Sequence, residues 1–232
     1  MQLTFASYNI HKAVGLDRRR DPDRILAVLR EVDADIIALQ EVDMRLGERA
    51  SVLPRAALDD TPWRAIAVNR RPRSLGWHGN ALLVRRGIEV VGATAIDLPT
   101  LEPRGAVVGE LALEGRHLRI IGTHLDLSGL RRRDQIRALL AHLEAYADAR
   151  PAVLMGDFNQ WGQKGAMREF VGGWQVAECG RSFPSRQPVA KLDRIVASPE
   201  WVCTGSGVHH SALAAVASDH LPIWARLELP TI

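Results

Sequence analysis

The sequence predicts an α/β fold in which two β-sheets pack face to face with helices outside, and three observations carry that expectation. Strand and helix patterns alternate at the start of the chain and again after Leu118. Between Arg64 and Leu113 several strand patterns follow one another with no long helix among them. No linker rich in Gly, Ser or Pro and no low-complexity tract divides the 232 residues, so one domain over 1–232 is expected. With 47% apolar and 25% charged residues the composition is that of an ordinary soluble globule, long enough to bury a sizeable core.

Taken in order, Leu3 to Ser7 alternates as a short strand and runs into Tyr8, Asn9 and Ile10. Asp21 before Pro22 is a helix N-cap with proline at the first helical position, and Ile25, Val28, Leu29 and Val32 then share one face as far as Asp33. Ile36 to Leu39 is a buried strand that delivers Gln40 and Glu41 to its end. Asp43 to Asp60 has mixed polarity and reads as loop with one helical turn. The central block gives strands at Ala65 to Val68, Ala81 to Val84, Ile88 to Ile96 and Ala106 to Leu113, punctuated by glycines, and reads as an antiparallel meander. Leu118 to Gly122 is another strand, ending in Thr123, His124, Leu125 and Asp126. The clearest helix covers Leu130 to Ala147, with Ile136, Leu139, Leu140 and Leu143 at helical spacing. Ala152 to Met155 is a strand, 162–171 is weakly helical, Arg181 to Pro188 is loop, and strands follow at Leu192 to Val196 and Leu221 to Leu229.

The formal charge of +3 and pI near 9.2 favour polyanions slightly. Lysine occurs only at 12, 164 and 191 while arginine supplies the other 27 basic residues, a bias of composition that makes the runs at Arg18 to Arg20 and Arg131 to Arg133 solvated faces rather than nucleic-acid patches. Cys179 and Cys203 have neither metal spacing nor a disulfide framework. No stretch approaches a membrane span, and Met1 to Tyr8 reads as a strand, so the sequence reads as cytoplasmic; a chain without its leader would read the same.

Chemistry gathers where the apolar runs stop. Gly156, Asp157, Phe158 and Asn159 directly follow the Ala152 to Met155 strand, and side-chain alternation predicts that Asp157 and Asn159 face one way. A carboxylate beside a carboxamide suits a hard cation and a phosphate oxygen, although Asp and Asn after a strand are often only turn formers. Asn9, Glu41 and His124 stand at three further strand ends, and Asp193, Asp219 and His220 are added by later segments. Polar groups collected at the ends of apolar strands make a site on a rigid scaffold.

Six short motifs, Tyr-Asn-Ile at 8–10, Leu-Gln-Glu at 39–41, Gly-Thr-His-Leu at 122–125, Gly-Asp-Phe-Asn at 156–159, Leu-Asp-Arg-Ile at 192–195 and Ser-Asp-His-Leu-Pro at 218–222, lie in an order that resembles the endonuclease/exonuclease/phosphatase superfamily. Deoxyribonucleases, abasic-site endonucleases, neutral sphingomyelinases and inositol polyphosphate phosphatases belong to it. The resemblance implies a four-layered α/β sandwich of two mixed sheets, and a divalent ion, Mg²⁺ or Mn²⁺. It implies Glu41 as the principal metal carboxylate and Asn9 beside the ion; Asp219, facing away from His220 on extended chain, is placed as a second acidic ligand or site organiser. His220 is implied as the general base for an attacking water, Asp193 as the carboxylate that orients its ring, and Asp157 as the group that steers the nucleophile or the leaving oxygen. Asn159 would donate to the phosphoryl group. His124 stands where the phosphatase, sphingomyelinase and deoxyribonuclease branches carry histidine; abasic-site endonucleases carry another residue type there.

Weaker candidates for substrate contact are Arg104, Asn80, Lys12 and His11, while Trp161 could pack the rim, stack on a base or touch lipid. The function expected is hydrolysis of a phosphodiester. Only 12 aromatic residues and no long DNA-binding insertion tilt the substrate towards a small molecule or phospholipid, with DNA or RNA as the alternative. A catalytically inactive binding protein on the same scaffold would lack at least one of Glu41, Asp157, Asp193 and His220, and none is missing. Nothing in the sequence indicates a protein partner.

Overall fold

Strand alternation decides the architecture. In β1 (Gln2–Asn9), Leu3, Phe5, Ser7 and Asn9 point to one side and Ala6 and Tyr8 to the other, and both sides are buried. A strand buried on both faces needs a layer above it and a layer below. The computed structural model, which describes residues 1–68, 70–100, 103–162 and 164–230, supplies both.

After β1 come a tight turn at His11–Ala13, helix α1 (Pro22–Val32), β2 (Ile36–Gln40), the short α2 (Arg55–Asp59), β3 (Trp63–Ala65) and β4 (Ala81–Arg85). Next are β5 (Glu89–Asp97), β6 (Gly105–Leu113), β7 (Arg116–His124), helix α3 (Gly129–Glu144) and β8 (Ala152–Asp157). A 3₁₀ turn at Gly165–Glu169, β9 (Gln175–Val176), β10 (Asp193–Ala197), β11 (Val202–Val208), α4 (Ala214–Ala217) and β12 (Ile223–Glu228) complete the chain. Asp21 caps α1, its carboxylate accepting from the Arg24 amide at 3.0 Å, and Asp33 ends it in a left-handed conformation.

Two six-stranded mixed sheets result, ordered β11-β12-β1-β2-β4-β3 and β5-β6-β7-β8-β10-β9. Three apolar clusters glue four layers together. Phe5, Ile36, Leu82, Val107, Ile120 and Met155 fill the space between the sheets. Ala6, Tyr8, Ile37 and Leu39 face the other way onto Ile25, Leu29 and Ala217 of the helices outside the first sheet. Val108, Ile121 and Leu154 meet Ile136 and Leu139 of α3 outside the second. The four-layered α/β sandwich with helices outside is therefore the observed fold.

Several elements differ from the sequence expectation. The central block is not one meander: β3 and β4 pair in the first sheet, whereas β5, β6 and β7 form a meander in the second, the chain crossing between sheets after Arg85. The strand expected at Ala65 to Val68 lies two residues earlier, with Trp63 fully buried against α1's end through its indole N–H to the Ala34 carbonyl at 2.7 Å. Strands β9 and β11 were not expected. β11, Val-Cys-Thr-Gly-Ser-Gly-Val, is an edge strand of small, half-exposed residues whose pairing with β12 leaves no apolar alternation to read. Among the described residues no helix is long and apolar enough to cross a membrane.

Candidate active site

The row of side chains that fills the space between the sheets turns polar at its last position on strand after strand. Phe5 and Ser7 lead to Asn9, Ile36 and Ala38 to Gln40, Ile120 and Gly122 to His124, Val153 and Met155 to Asp157, and on the reversed β10 Ile195 leads to Asp193. The inter-sheet core thus opens at one end into a polar pocket. Register sets the positions: His124 pairs with Asp157 across the parallel β7 and β8, and Asp157 with Asp193 across the antiparallel β8 and β10. His124, Asp157 and Asp193 are one cross-strand row, all at least nine-tenths buried.

His220 completes the row from the first sheet's side. Its ring Nδ1–H donates to Asp193 Oδ2 at 2.9 Å, and its Nε2 stands 3.6 Å from Asp157 Oδ2. The His124 Nε2 lies 3.5 Å from the same Asp157 oxygen. Asn9 crosses between the sheets, its side-chain Nδ2 donating to Asp157 Oδ2 at 3.1 Å while its side-chain Oδ1 accepts from the His11 backbone amide at 3.1 Å. Ser182 adds a hydroxyl donor to Asp193 Oδ2, the Phe183 ring lies 4.8 Å from the His220 ring, and Ser218 donates to the Asn9 carbonyl at 2.7 Å. Sequence reasoning missed these three: Ser182 and Phe183 sit in a Pro and Ser loop with no pattern beyond its polarity, and Ser218 is one word of a motif read for its neighbours.

Charge is unevenly shared within the cluster. Burial alone would raise the Asp157 carboxyl, but the His124 and His220 rings, the Asn159 amide and the Asn9 carboxamide outweigh it and hold Asp157 below the usual range. Burial raises Asp193, helped by the Asp157 charge and only partly offset by His220 and Ser182. For His220, burial opposes the charged ring, yet Asp193, Asp157 and Asp219 prevail and push it up to about 10. Burial chiefly lowers His124, against the pull of Asp157 and Glu41, so the two rings are shifted in opposite directions.

Glu41 sits just past β2 in a left-handed backbone conformation (φ 57°), and its carboxylate pairs with the Lys12 ammonium. Burial disfavours the Glu41 charge, but the Lys12 hydrogen bond and charge, with His124 and His11, bring its carboxyl below the usual value. His11, Lys12 and Ala13 all have positive φ, at 46°, 56° and 58°, a left-handed turn that costs roughly 1 to 2 kcal/mol per residue and brings Lys12 to Glu41. His11 Nδ1 donates to the Val14 carbonyl at 3.1 Å and lies 3.9 Å from Asp219. Beside Glu41 a cavity of about 410 Å³ is lined by Lys12, Arg45, Arg49, His78, Arg104 and His124 among others. Arg45 and Arg49, from the loop after β2, were not among the residues expected.

Two expectations change on geometry. Asn159 does not share a face with Asp157 by alternation, because β8 ends at Asp157 and Asn159 is left-handed (φ 50°). A turn brings them together instead: the Asn159 amide donates to Asp157 Oδ1 at 2.9 Å, and its carboxamide donates to the Leu125 carbonyl at 2.9 Å. Asn80 is fully buried and donates to the carbonyls of Trp77 at 3.2 Å and Gly105 at 3.0 Å. It braces the two sheets' connections against each other and presents no surface to the cleft.

The donor set fits a hard divalent ion. Ligand-capable atoms of Asp157, Asp193 and His220 lie within 4.8 Å of one another. Asp193 Oδ1 is buried without a hydrogen-bond partner among the described residues, and Glu41 and Asp219 add rim carboxylates, each matched with one basic neighbour.

Comparison with known proteins identifies the family and the fold. The sequence is 28% identical over 243 residues to protein YbhP of Escherichia coli K12, covering 95% of this chain and 94% of that one. An endonuclease/exonuclease/phosphatase from Bacteroides vulgatus has the same fold, with a TM-score of 0.81 at 21% identity over 99% of this chain and 100% of that one. So does the human Nocturnin catalytic domain with a bound sulfate anion, at a TM-score of 0.76 and 19% identity over 99% and 95% of the two chains. Residues 6–220 match the profile of the Endonuclease/Exonuclease/phosphatase family, and the chain belongs to that family of hydrolases acting on phosphoester bonds.

Proposed function

We propose that the protein hydrolyses a phosphodiester by in-line attack of water, with Mg²⁺ or Mn²⁺ bound at the mouth of the inter-sheet core. The observation that carries the proposal is the buried row in which Asp193 holds His220 at 2.9 Å and turns its Nε2 towards Asp157. An imidazole fixed by a carboxylate on one nitrogen presents the other to a reacting water and takes its proton. Asp157, ionised and facing both histidines, steers the water or the leaving oxygen. His124 and the carboxamide of Asn159 are donors for the phosphoryl oxygens, and donors aimed at developing charge are worth roughly 2 to 4 kcal/mol each. Asn9 holds Asp157 from the opposite sheet.

Glu41, Asn9 and Asp219, with the carboxylates of Asp157 and Asp193 behind them, are the residues that would hold the ion. When bound, the ion supplies charge neutralisation at the phosphoryl oxygens and shares the carboxylates that otherwise keep the proton on His220. Lys12 and Arg104, which line the cavity, and His11 beside Lys12 would contact substrate.

A small-molecule or phospholipid diester remains the favoured substrate. The basic lining of the 410 Å³ cavity, with Arg45, Arg49 and Arg104, supports a second reading in which the substrate is DNA or RNA. Bis-nitrophenyl phosphate tests the chemistry: the wild type turns it over with Mg²⁺ or Mn²⁺, chelation abolishes turnover, and Asp157→Ala and His220→Ala each lower it about 100-fold or more. Retained turnover in both variants refutes the proposal. Plasmid DNA, RNA, sphingomyelin, phosphatidyl lipids and inositol phosphates assayed side by side separate the two substrate readings.

A further inference from the structure

Strand direction sends one set of connections to one end of the molecule. β1 and β2 run parallel and finish at Asn9 and Gln40, β7 and β8 finish at His124 and Asp157, and their antiparallel neighbours begin there. Eight of the eleven large apolar side chains exposed among the described residues stand on these connections or on the helical turns adjoining them, around the cleft. Leu127 is 75% exposed, Leu130 74% and Trp161 65%, and they stand on two neighbouring connections of that end. From them we infer that this end docks onto the surface of an anionic phospholipid bilayer. The inference rests on the proposed function for the identity of the cleft at its centre.

Arg132 assembles the patch. Its guanidinium donates to the carbonyls of Asp126 and Leu127 at 3.1 and 2.6 Å and, through Nε and Nη2, to the Gln160 side-chain oxygen at 3.2 and 3.1 Å. The loop after β7 and the loop after β8 are thereby fastened together, with Leu127 on one and Trp161 on the other. The three acceptor atoms are neutral, so these hydrogen bonds do not cancel the Arg132 charge, which the Asp126 and Asp157 carboxylates offset only in part. Arg131 flanks it in sequence, Arg133 is paired with Glu169 at 3.9 Å, and Gln160 reaches the Lys164 carbonyl at 2.9 Å, which brings Lys164 to the same loop. Leucine and tryptophan side chains ringed by arginine and lysine match the two parts of a bilayer interface, acyl chains beneath and anionic headgroups above. A nucleic acid satisfies the cations but offers leucines little apolar surface to bury against.

Co-sedimentation with vesicles tests the inference, using phosphatidylcholine alone and phosphatidylcholine with about 30% phosphatidylglycerol. The wild type is expected to pellet with the anionic vesicles and to be released by salt. The Leu127→Ser, Leu130→Ser, Trp161→Ser triple variant is expected to bind about tenfold less. Its turnover of bis-nitrophenyl phosphate in solution is expected to match the wild type, which also shows that it folds. Arg131→Glu should weaken vesicle binding with the apolar residues intact. The inference is overturned if the wild type stays in the supernatant, if the triple variant binds as well as the wild type, or if the patch proves to serve duplex DNA or a second copy of the chain instead. Vesicle binding without diester turnover sinks the proposed chemistry and leaves the docking surface standing; turnover without vesicle binding does the reverse.

Discussion

Asp193 accepts hydrogen bonds from two side chains on one oxygen, Ser182 and His220, and leaves the other oxygen buried and unpartnered. Such an arrangement fixes the ring more than it stabilises the fold. Asp193→Asn should therefore lower turnover about 100-fold or more while the protein still folds, and the ring of His220 should lose its proton at lower pH by NMR titration; an unchanged titration would remove Asp193 from the site. The same pair sets a pH dependence of stability. His220 titrates near 6.5 when unfolded and is pushed up to about 10 in the fold. A raised value means that its contribution is fully present below pH 6.5, shrinks as pH rises, and is gone above about 10. In chelator, the wild-type melting temperature should fall across that interval, and His220→Gln should flatten the slope; parallel slopes would contradict the assignment. Lys12 tells a third residue-scale story. Its partner Glu41 is also the carboxylate expected to hold the ion, so the ion pair and the ion compete. Lys12→Met should destabilise the chelated protein by about 1 kcal/mol or less, as a half-buried ion pair would, and should tighten Mg²⁺ binding in calorimetry. Weaker binding would mean that Lys12 helps the ion rather than opposing it.

Elements were legible where burial repeats with a period. Helices α1 and α3 show apolar residues at helical spacing, β1, β2, β7 and β8 show short apolar runs buried on both faces, and the sequence places them to within a few residues. β11 was opaque because an edge strand needs only backbone partners, and β9 because two residues carry no period. Which strands share a sheet was also hidden: the crossing from β4 to β5 is a tight turn at Arg85 to Ile88, which in sequence resembles any hairpin. Gly156 shows how close the row of His124, Asp157 and Asp193 is to its neighbours. A Cβ there would sit 1.8 Å from the Thr123 carbonyl oxygen, on the strand pair that carries His124 and Asp157. Gly156→Ala must push β7 and β8 apart at that row. It should cost about 3 kcal/mol and lower turnover together with the melting temperature, whereas a variant that melts like the wild type would mean the strands can spread without harm.

At the scale of the whole molecule the site is a seam. The first sheet supplies Asn9, Glu41 and His220, the second His124, Asp157 and Asp193, and the Asn9 to Asp157 hydrogen bond at 3.1 Å ties one to the other. The sequence revealed this convergence only as a set of strand ends, because each motif is local and the meeting of Asn9 with Asp157 spans 148 residues. What it could not reveal was the mutual geometry: Asn80 turned inward as a brace, Asn159 held by a turn, and arginines from the loop after β2 facing the cleft. A ligand bound at a seam stabilises both halves, since it binds only when they are together. Saturating Mg²⁺ should raise the wild-type melting temperature, by the equivalent of about 2.7 kcal/mol when the ion is near 100 times its dissociation constant. Hydrogen exchange should slow at the ends of β1 and β2 as well as at those of β7 and β8. Asp157→Asn combined with Asp193→Asn should abolish both effects. Protection confined to the second sheet would mean that the ion is held by that sheet alone, with Glu41 and Asn9 serving the substrate.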